Sequence, residues 1–453
     1  MIRINRVLAL FAVAVHLAHL PAHAQSPAAA NHVVIISLDG FTARALADPA
    51  LPLPNLRRLA AAGATAKTMR PVNPTVTWAN HTTMITGVTP AKHGVVYNGL
   101  LVREPGLPPR VEPWRDQSEM VHAQTLYDVA HARGLTTAQV DWVAIWNAPT
   151  VTWEFRERPD PNGPIAQEMI AAGIVTREDV ETFGSKNIVL RDHIWTEAAA
   201  HIIRVHKPNL MMFHLLTLDS VQHRYGPDTL AAQSTMAHLD AQVGAIVHAV
   251  EEAGIGDRTT FFVVSDHGFK RVKRQINPNV ALVKEGLVQV ADGKVVKADA
   301  WVMPEGGSAI AYVTAPDSGA KLSARLKAAL GGIEGIDKSI EPSDYASLGL
   351  PLPSSTGQMG ELFLTAKDGY AFTAAVGSEV VTEASEGSLG THGYVSTDPE
   401  LGAIFIASGK GIRSGVTLET VSTIDLAATM AQLLGLELKE VDGRVLKEIL
   451  ADK

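Results

Sequence analysis

The sequence predicts an α/β fold: a mostly parallel central sheet covered by helices on both faces, plus an inserted cap subdomain. Three observations predict it. Short apolar runs rich in β-branched residues alternate with helical stretches, the pattern of β-α-β units. The runs are apolar throughout rather than alternating, as in strands buried on both faces. Between about residues 271 and 385 this alternation lapses.

Residues 33–38 (VVIISL) read as the first buried strand, too short for most helices. Residues 54–62 (PNLRRLAAA) read as a helix with Pro at its start and Gly63 at its end. A helix at 126–132 stops at Gly134, and 137–142 follows as a strand. Residues 193–205 read as helix and 210–218 as another buried strand. A long amphipathic helix spans 228–253, with Gly254 as its stop, and 259–264 is again a buried strand. Within 271–385 lie a hairpin with Asp-Gly at its turn (GLVQVADGKVV), the run SAIAYVTA and a helix-like KLSARLKAALGG. The core resumes with a strand in GAIFIASGKGI and a helix in TIDLAATMAQLLGL.

The 453 residues, 46% of them hydrophobic, suffice for a large buried core. The start reads as a secretory leader: Arg3 and Arg6, an apolar stretch over 7–20, then Ala22-His23-Ala24 as a cleavage site. The expected division is leader 1–24 and catalytic domain 25–453, placing the mature chain in the periplasm or secreted. Without the leader, 37 basic residues face 47 acidic ones, a formal charge of −10. Such a chain lacks the basic footprint of a stable nucleic-acid partner. No later run approaches the roughly 20 apolar residues of a membrane span. With no cysteine, thiol nucleophiles and thiolate metal sites are excluded.

Chemistry-bearing residues follow the predicted strands. Asp39 follows the first; Asp219 and His223 stand in LDSVQHRYGP, Asp266 and His267 in SDHGF, and His392 in GTHGY. Strand C-termini of an open parallel sheet share one edge, where ligands bind. Carboxylates plus imidazoles without thiolate form the ligand set of a catalytic divalent site, three donors for each of two metals. The spacing in D-x-x-x-H brings both side chains to one point, and the adjacent Asp266 and His267 can reach two different metals. Each piece alone has an ordinary reading: a helix cap for a lone Asp after a strand, a turn for DHG. Their joint occurrence is the specific signal. Thr77 precedes the helix-like WANHTTMITG, where helix amides and dipole favour negative charge on a hydroxyl oxygen.

These motifs carry a resemblance. SLDGF, T-x-x-NH…TG…P…HG…N, D-x-x-x-H-x-x-GP, SDHGF and THGY stand in the order of the alkaline phosphatase superfamily. Within it, the chain resembles the nucleotide pyrophosphatase/phosphodiesterase (type I phosphodiesterase) family over about residues 33–270 and 386–445. The resemblance implies an alkaline-phosphatase-like core and two zinc ions. Asp219, His223 and His392 correspond to the ligands of one; Asp39, Thr77, Asp266 and His267 to those of the other. It implies that Thr77 is the nucleophile of a covalent phosphothreonine intermediate and Asn98 an amide donor to phosphoryl oxygen. The implied substrate is a small phosphodiester or nucleotide. His81 and His93 read as packing or supporting residues. Two departures stand out: Gln222 where the family has Gly, and Trp78-Ala79 after the nucleophile where it has Phe-Pro. The insertion is expected to select the leaving group. A phosphomonoesterase or phosphonate hydrolase of the same superfamily, or a non-catalytic metal- or solute-binding module, are the alternatives the residues leave open.

Overall fold

The computed structural model describes residues 31–316 and 319–452; the predicted leader and its cleavage site lie outside them. The main sheet has eight strands: β1 (His32–Leu38), β2 (Ala64–Arg70), β3 (Thr137–Val140), β4 (Trp153–Phe155), β5 (Leu210–Leu215), β6 (Thr259–Val264), β7 (Phe405–Gly409) and β8 (Val416–Ser422). Their order is β8-β2-β7-β6-β1-β5-β3-β4. β7 alone runs antiparallel, against both β2 and β6; the other pairings are parallel. β1 lies at the centre and is buried along its whole length, as its unbroken apolar run requires.

Seven helices matter for the site: α1 (Pro54–Ala62), α2 (Thr77–Thr86), α3 (Leu126–Ala132), α4 (Ile188–His206), α5 (Thr217–Tyr225), α6 (Leu230–Glu252) and α7 (Asp425–Leu433). Two apolar clusters cover opposite faces of the sheet. Val34, Ile36 and Phe213 pack toward the cluster of α4 and α6, whereas Val33, Ile35 and Met212 pack toward Leu126, Leu426 and Met430. This alternation along β1 and β5 is the period-two geometry of a strand.

Several boundaries differ from expectation. The strand read as 210–218 ends at Leu215, because Asp192 on α4 accepts from the backbone N–H groups of Leu216 and Thr217 and so caps a new helix. Asp219 therefore stands in the first turn of α5, not at a strand end. The strand read as 137–142 ends at Val140, since Asp141 has φ 54°. The edge strand β8 and its neighbour β2, both of mixed polarity, were not read from the sequence at all.

Residues 271–385 build a second antiparallel sheet, in which Ala300–Glu305, Ser308–Val313, Leu362–Ala366 and Ile336–Ile340 lie side by side in that order. The hairpin Val288–Ala291/Lys294–Ala298 turns at Asp292-Gly293, both at positive φ. The predicted helix is Ala320–Leu330.

Candidate active site

β1, β6 and α5 deliver their acidic and imidazole groups to the C-terminal edge of the sheet. His392 arrives on the segment that re-enters the core, next to the short strand Gly390–Thr391. Two groups of three result. Asp39, Asp266 and His267 form one; Asp219, His223 and His392 form the other. Within each, the ligand atoms lie within 4.8 Å of one another. His267 Nε2 is 3.4 Å from Asp39 Oδ1 and 3.1 Å from Asp266 Oδ2. Asp219 Oδ1 is 3.3 Å from His223 Nε2 and 3.6 Å from His392 Nε2. Zinc–ligand bonds of about 2.0–2.2 Å put tetrahedral donors roughly 3.3–3.5 Å apart, so these separations fit a four-coordinate zinc-class ion. Asp266 and His267 thus converge on one point, although adjacent side chains can reach two different metals. The groups adjoin: the rings of His267 and His392 stack at 3.7 Å.

The hydrogen bonds select which atoms face inward. Asp266 Oδ1 accepts from the N–H groups of Gly40 and His267 and the hydroxyl of Ser265. Asp39 Oδ2 accepts from His214 Nε2 at 3.0 Å. Each histidine donates Nδ1–H to a backbone carbonyl: His223 to Gly390, His267 to Gly268, His392 to Thr75. That fixes the tautomer with the Nε2 lone pair free, the second-sphere arrangement of metal-ligating histidine. The atoms left over, Asp39 Oδ1, Asp219 Oδ1, Asp266 Oδ2 and His267 Nε2, are buried without a hydrogen-bond partner. Burying four orphaned polar atoms costs several kcal/mol unless something binds them. The residues fit a pair of divalent cations.

The electrostatics agree. Burial and the nearby Asp266 and Asp219 push the Asp39 carboxyl well above the usual carboxylate range. Burial would also raise Asp219, but His223 beside it holds it below the usual range. Burial lowers His267 to about 4 and His392 to about 3, so both are neutral near pH 7. Among the described residues lining the cleft there is no Lys or Arg. Arg44, near in sequence, pairs with Asp228 and Glu400 instead.

Thr77 opens α2 and lines a cleft of about 380 Å³ with Asn98, Asp219, His223 and His392. Asn98 Oδ1 accepts from the Trp78 backbone N–H at 3.1 Å, which leaves its amide N–H groups for the exposed cleft. The loop before Asn98 is held from behind: Val96, Tyr97 and Leu101 pack on Ile310, Tyr312 and Phe363 of the second sheet, with the Tyr97 and Tyr312 hydroxyls 2.8 Å apart. His392 is braced from the same side. Gly307 N–H donates to its carbonyl, and a Cβ on Gly393, at φ 85°, would meet the Glu305 carbonyl oxygen at 1.7 Å. The second sheet therefore supports Asn98 and His392, whereas the cleft wall comes from Trp78, Pro113, Trp114, Val143 and Glu157.

Gln222, the first departure, lies within α5 at ordinary helical φ, and its Nε2 donates to the Gly40 carbonyl. No glycine is required there. His81 donates to the Thr77 carbonyl, and His93 pairs with the Thr83 hydroxyl; burial lowers both to about 3. Sequence reasoning missed His214 and Asp141. The signal was present: a titratable side chain inside the apolar run LMMFHLL must find a buried partner.

The pattern of type I phosphodiesterase / nucleotide pyrophosphatase matches residues 33–395. Human ectonucleotide pyrophosphatase/phosphodiesterase family member 7 is 23% identical over 432 residues, 93% of this chain and 83% of that protein. Mouse family member 1 is 23% identical over 296 residues, 63% of this chain and 29% of that protein. Among solved structures, human ectonucleotide pyrophosphatase / phosphodiesterase 5 has a TM-score of 0.70 at 17% identity, with 93% of this chain and all of that one covered. An inactive murine form in complex with AMP has a TM-score of 0.68 at 18% identity, with the same coverage. The fold is alkaline-phosphatase-like, as the sequence implied. The match over most of its length shows that the chain belongs to the type I phosphodiesterase / nucleotide pyrophosphatase family, whose members are hydrolases of phosphoric ester bonds.

Proposed function

We propose that this protein is a two-zinc phosphodiesterase that hydrolyses small phosphodiesters or nucleotide phosphoanhydrides through a phosphothreonine at Thr77. The observation that carries the reading is the set of orphaned ligand atoms described above, gathered beside a threonine at a helix N-terminus. Asp39, Asp266, His267 and the Thr77 hydroxyl would hold one ion; Asp219, His223 and His392 the other. When bound, such ions neutralise the buried carboxylates, lower the pKa of a coordinated hydroxyl and stabilise a departing oxygen.

The chain's own residues do the rest. Thr77 Oγ forms the bond to phosphorus as the ester or anhydride bond to the leaving group breaks. Water then cleaves the phosphothreonine and regenerates the hydroxyl. Asn98 donates to a nonbridging oxygen, and the free amides at the start of α2 favour the same negative charge. A diester carries one phosphate charge and a monoester two, and among the described residues the cleft lining offers no Lys or Arg for the second. The AMP complex of the murine neighbour is consistent with a nucleotide substrate. No described helix is long and apolar enough to cross a membrane, and the predicted leader places the mature enzyme in the periplasm or outside the cell.

Turnover of an aryl phosphodiester against the matching monoester tests the assignment. The diester is expected to be preferred by about 10²-fold or more in kcat/KM, close to 3 kcal/mol. Preference for the monoester contradicts it.

A further inference from the structure

A second kind of metal-ligating cluster lies at the opposite edge of the sheet. Its carboxylate is Glu168, on the helix Pro164–Ala171; its imidazoles are His201 and His206, near the end of α4. From α4 the chain passes directly into β5 at Leu210, so this end of α4 lies where the strands begin. The catalytic cleft lies where they end.

His206 Nε2 is 2.7 Å and His201 Nε2 2.9 Å from the same atom, Glu168 Oε2. The three candidate donor atoms lie within 4.8 Å of one another. The indole of Trp153 stacks on His206 at 3.8 Å and fixes its plane. The two imidazoles are 10% and 13% exposed and Glu168 is 35% exposed, which leaves one open side for a water ligand.

A histidine–carboxylate hydrogen bond needs one imidazole. Here two converge through the same ring nitrogen on one carboxylate oxygen. Two imidazoles and a carboxylate with an open position form a zinc-type ligand set, too rich in nitrogen for calcium or magnesium. The location favours a cation as well, because the last carbonyls of the 19-residue α4 carry negative partial charge. Tetrahedral donors stand roughly 3.3–3.5 Å apart, so a bound ion requires Glu168 to swing outward by about half an ångström. A partly exposed side chain can do this.

We propose that Glu168, His201 and His206 form a structural site for a zinc-class divalent cation, separate from the catalytic cleft, that clamps the helix Pro164–Ala171 to the end of α4.

Glu168→Gln separates this from simple hydrogen bonding. Its amide oxygen still accepts from the imidazoles, so the packed cluster survives, but a neutral amide is a poor zinc ligand. Purified mature enzyme and its Glu168→Gln and His206→Ala variants are dialysed in zinc-containing buffer freed of excess metal. Metal per chain is then measured by plasma mass spectrometry alongside aryl phosphodiester turnover. The expected result is loss of one metal equivalent per chain in both variants, with turnover within about twofold of wild type. Glu168→Gln with the wild-type metal content overturns the proposal, whether or not His206→Ala folds. Failure of the diesterase assignment would appear instead as absent turnover in the wild type.

Discussion

His214 Nε2 lies 3.0 Å from Asp39 Oδ2, while its Nδ1 lies 3.2 Å from Asp141 Oδ2. All three side chains are buried. Burial alone would lower the imidazole pKa, but Asp141 and Asp39 hold it well above its ordinary value. His214 therefore turns Asp39 so that Oδ1, left without a partner, faces His267. His214→Ala is expected to lower metal affinity by 10–100-fold, as loss of an outer-sphere partner does. It also strands two buried carboxyls and is expected to destabilise the fold by about 3–5 kcal/mol. Chelator competition and denaturant unfolding measure the two effects. Unchanged metal affinity would show that Asp39 needs no such support.

Metal uptake is expected to release protons. Asp39 is held above the usual carboxylate range by burial and the nearby Asp266, and His223 above the usual imidazole value by Asp219 despite burial. Both groups bind protons that a cation must displace, since ligands coordinate in their deprotonated forms. Apparent affinity therefore rises with pH through the window of these raised values and levels off above it. Calorimetry in two buffers of different ionisation enthalpy measures the protons released. A pH-independent affinity with no proton release contradicts the ligand assignment.

Asn98→Ala is expected to cut kcat by about 10²-fold, the range seen when one preorganised donor to a developing charge is removed. Metal content is expected to stay at the wild-type level. An unchanged kcat would reduce Asn98 to a turn residue that happens to accept from the Trp78 amide.

Tyr312→Phe tests the support from the second sheet. The Tyr312 hydroxyl donates to the Gln358 carbonyl at 2.5 Å and pairs with the Tyr97 hydroxyl. Its loss leaves Tyr97 polar and buried, for an expected cost of about 1–3 kcal/mol. Because Tyr97 adjoins Asn98, kcat is expected to fall with metal content retained. Equal kcat alongside lost stability would confine this contact to folding.

Much of this was legible in the chain. β1, β5 and β6 are largely apolar runs buried along their whole length, and the acids and histidines follow them in order. Two kinds of feature were not. β7 runs against its neighbours and β2 sits beside it, yet strand direction leaves no trace in local composition. The partners of Asp39, Asp266 and His392 are set by tertiary contacts hundreds of residues apart, such as Thr75 with His392 and Gly40 with Asp266. Spacing rules see only one turn of helix or strand.

The most direct test of the central claim is Thr77→Ala, measured for metal content and for diester turnover in one preparation. The expected variant holds as much metal as the wild type and loses at least ~10³-fold in kcat, the scale of removing a nucleophile. Turnover retained within tenfold would remove Thr77 from the reaction and with it the phosphothreonine.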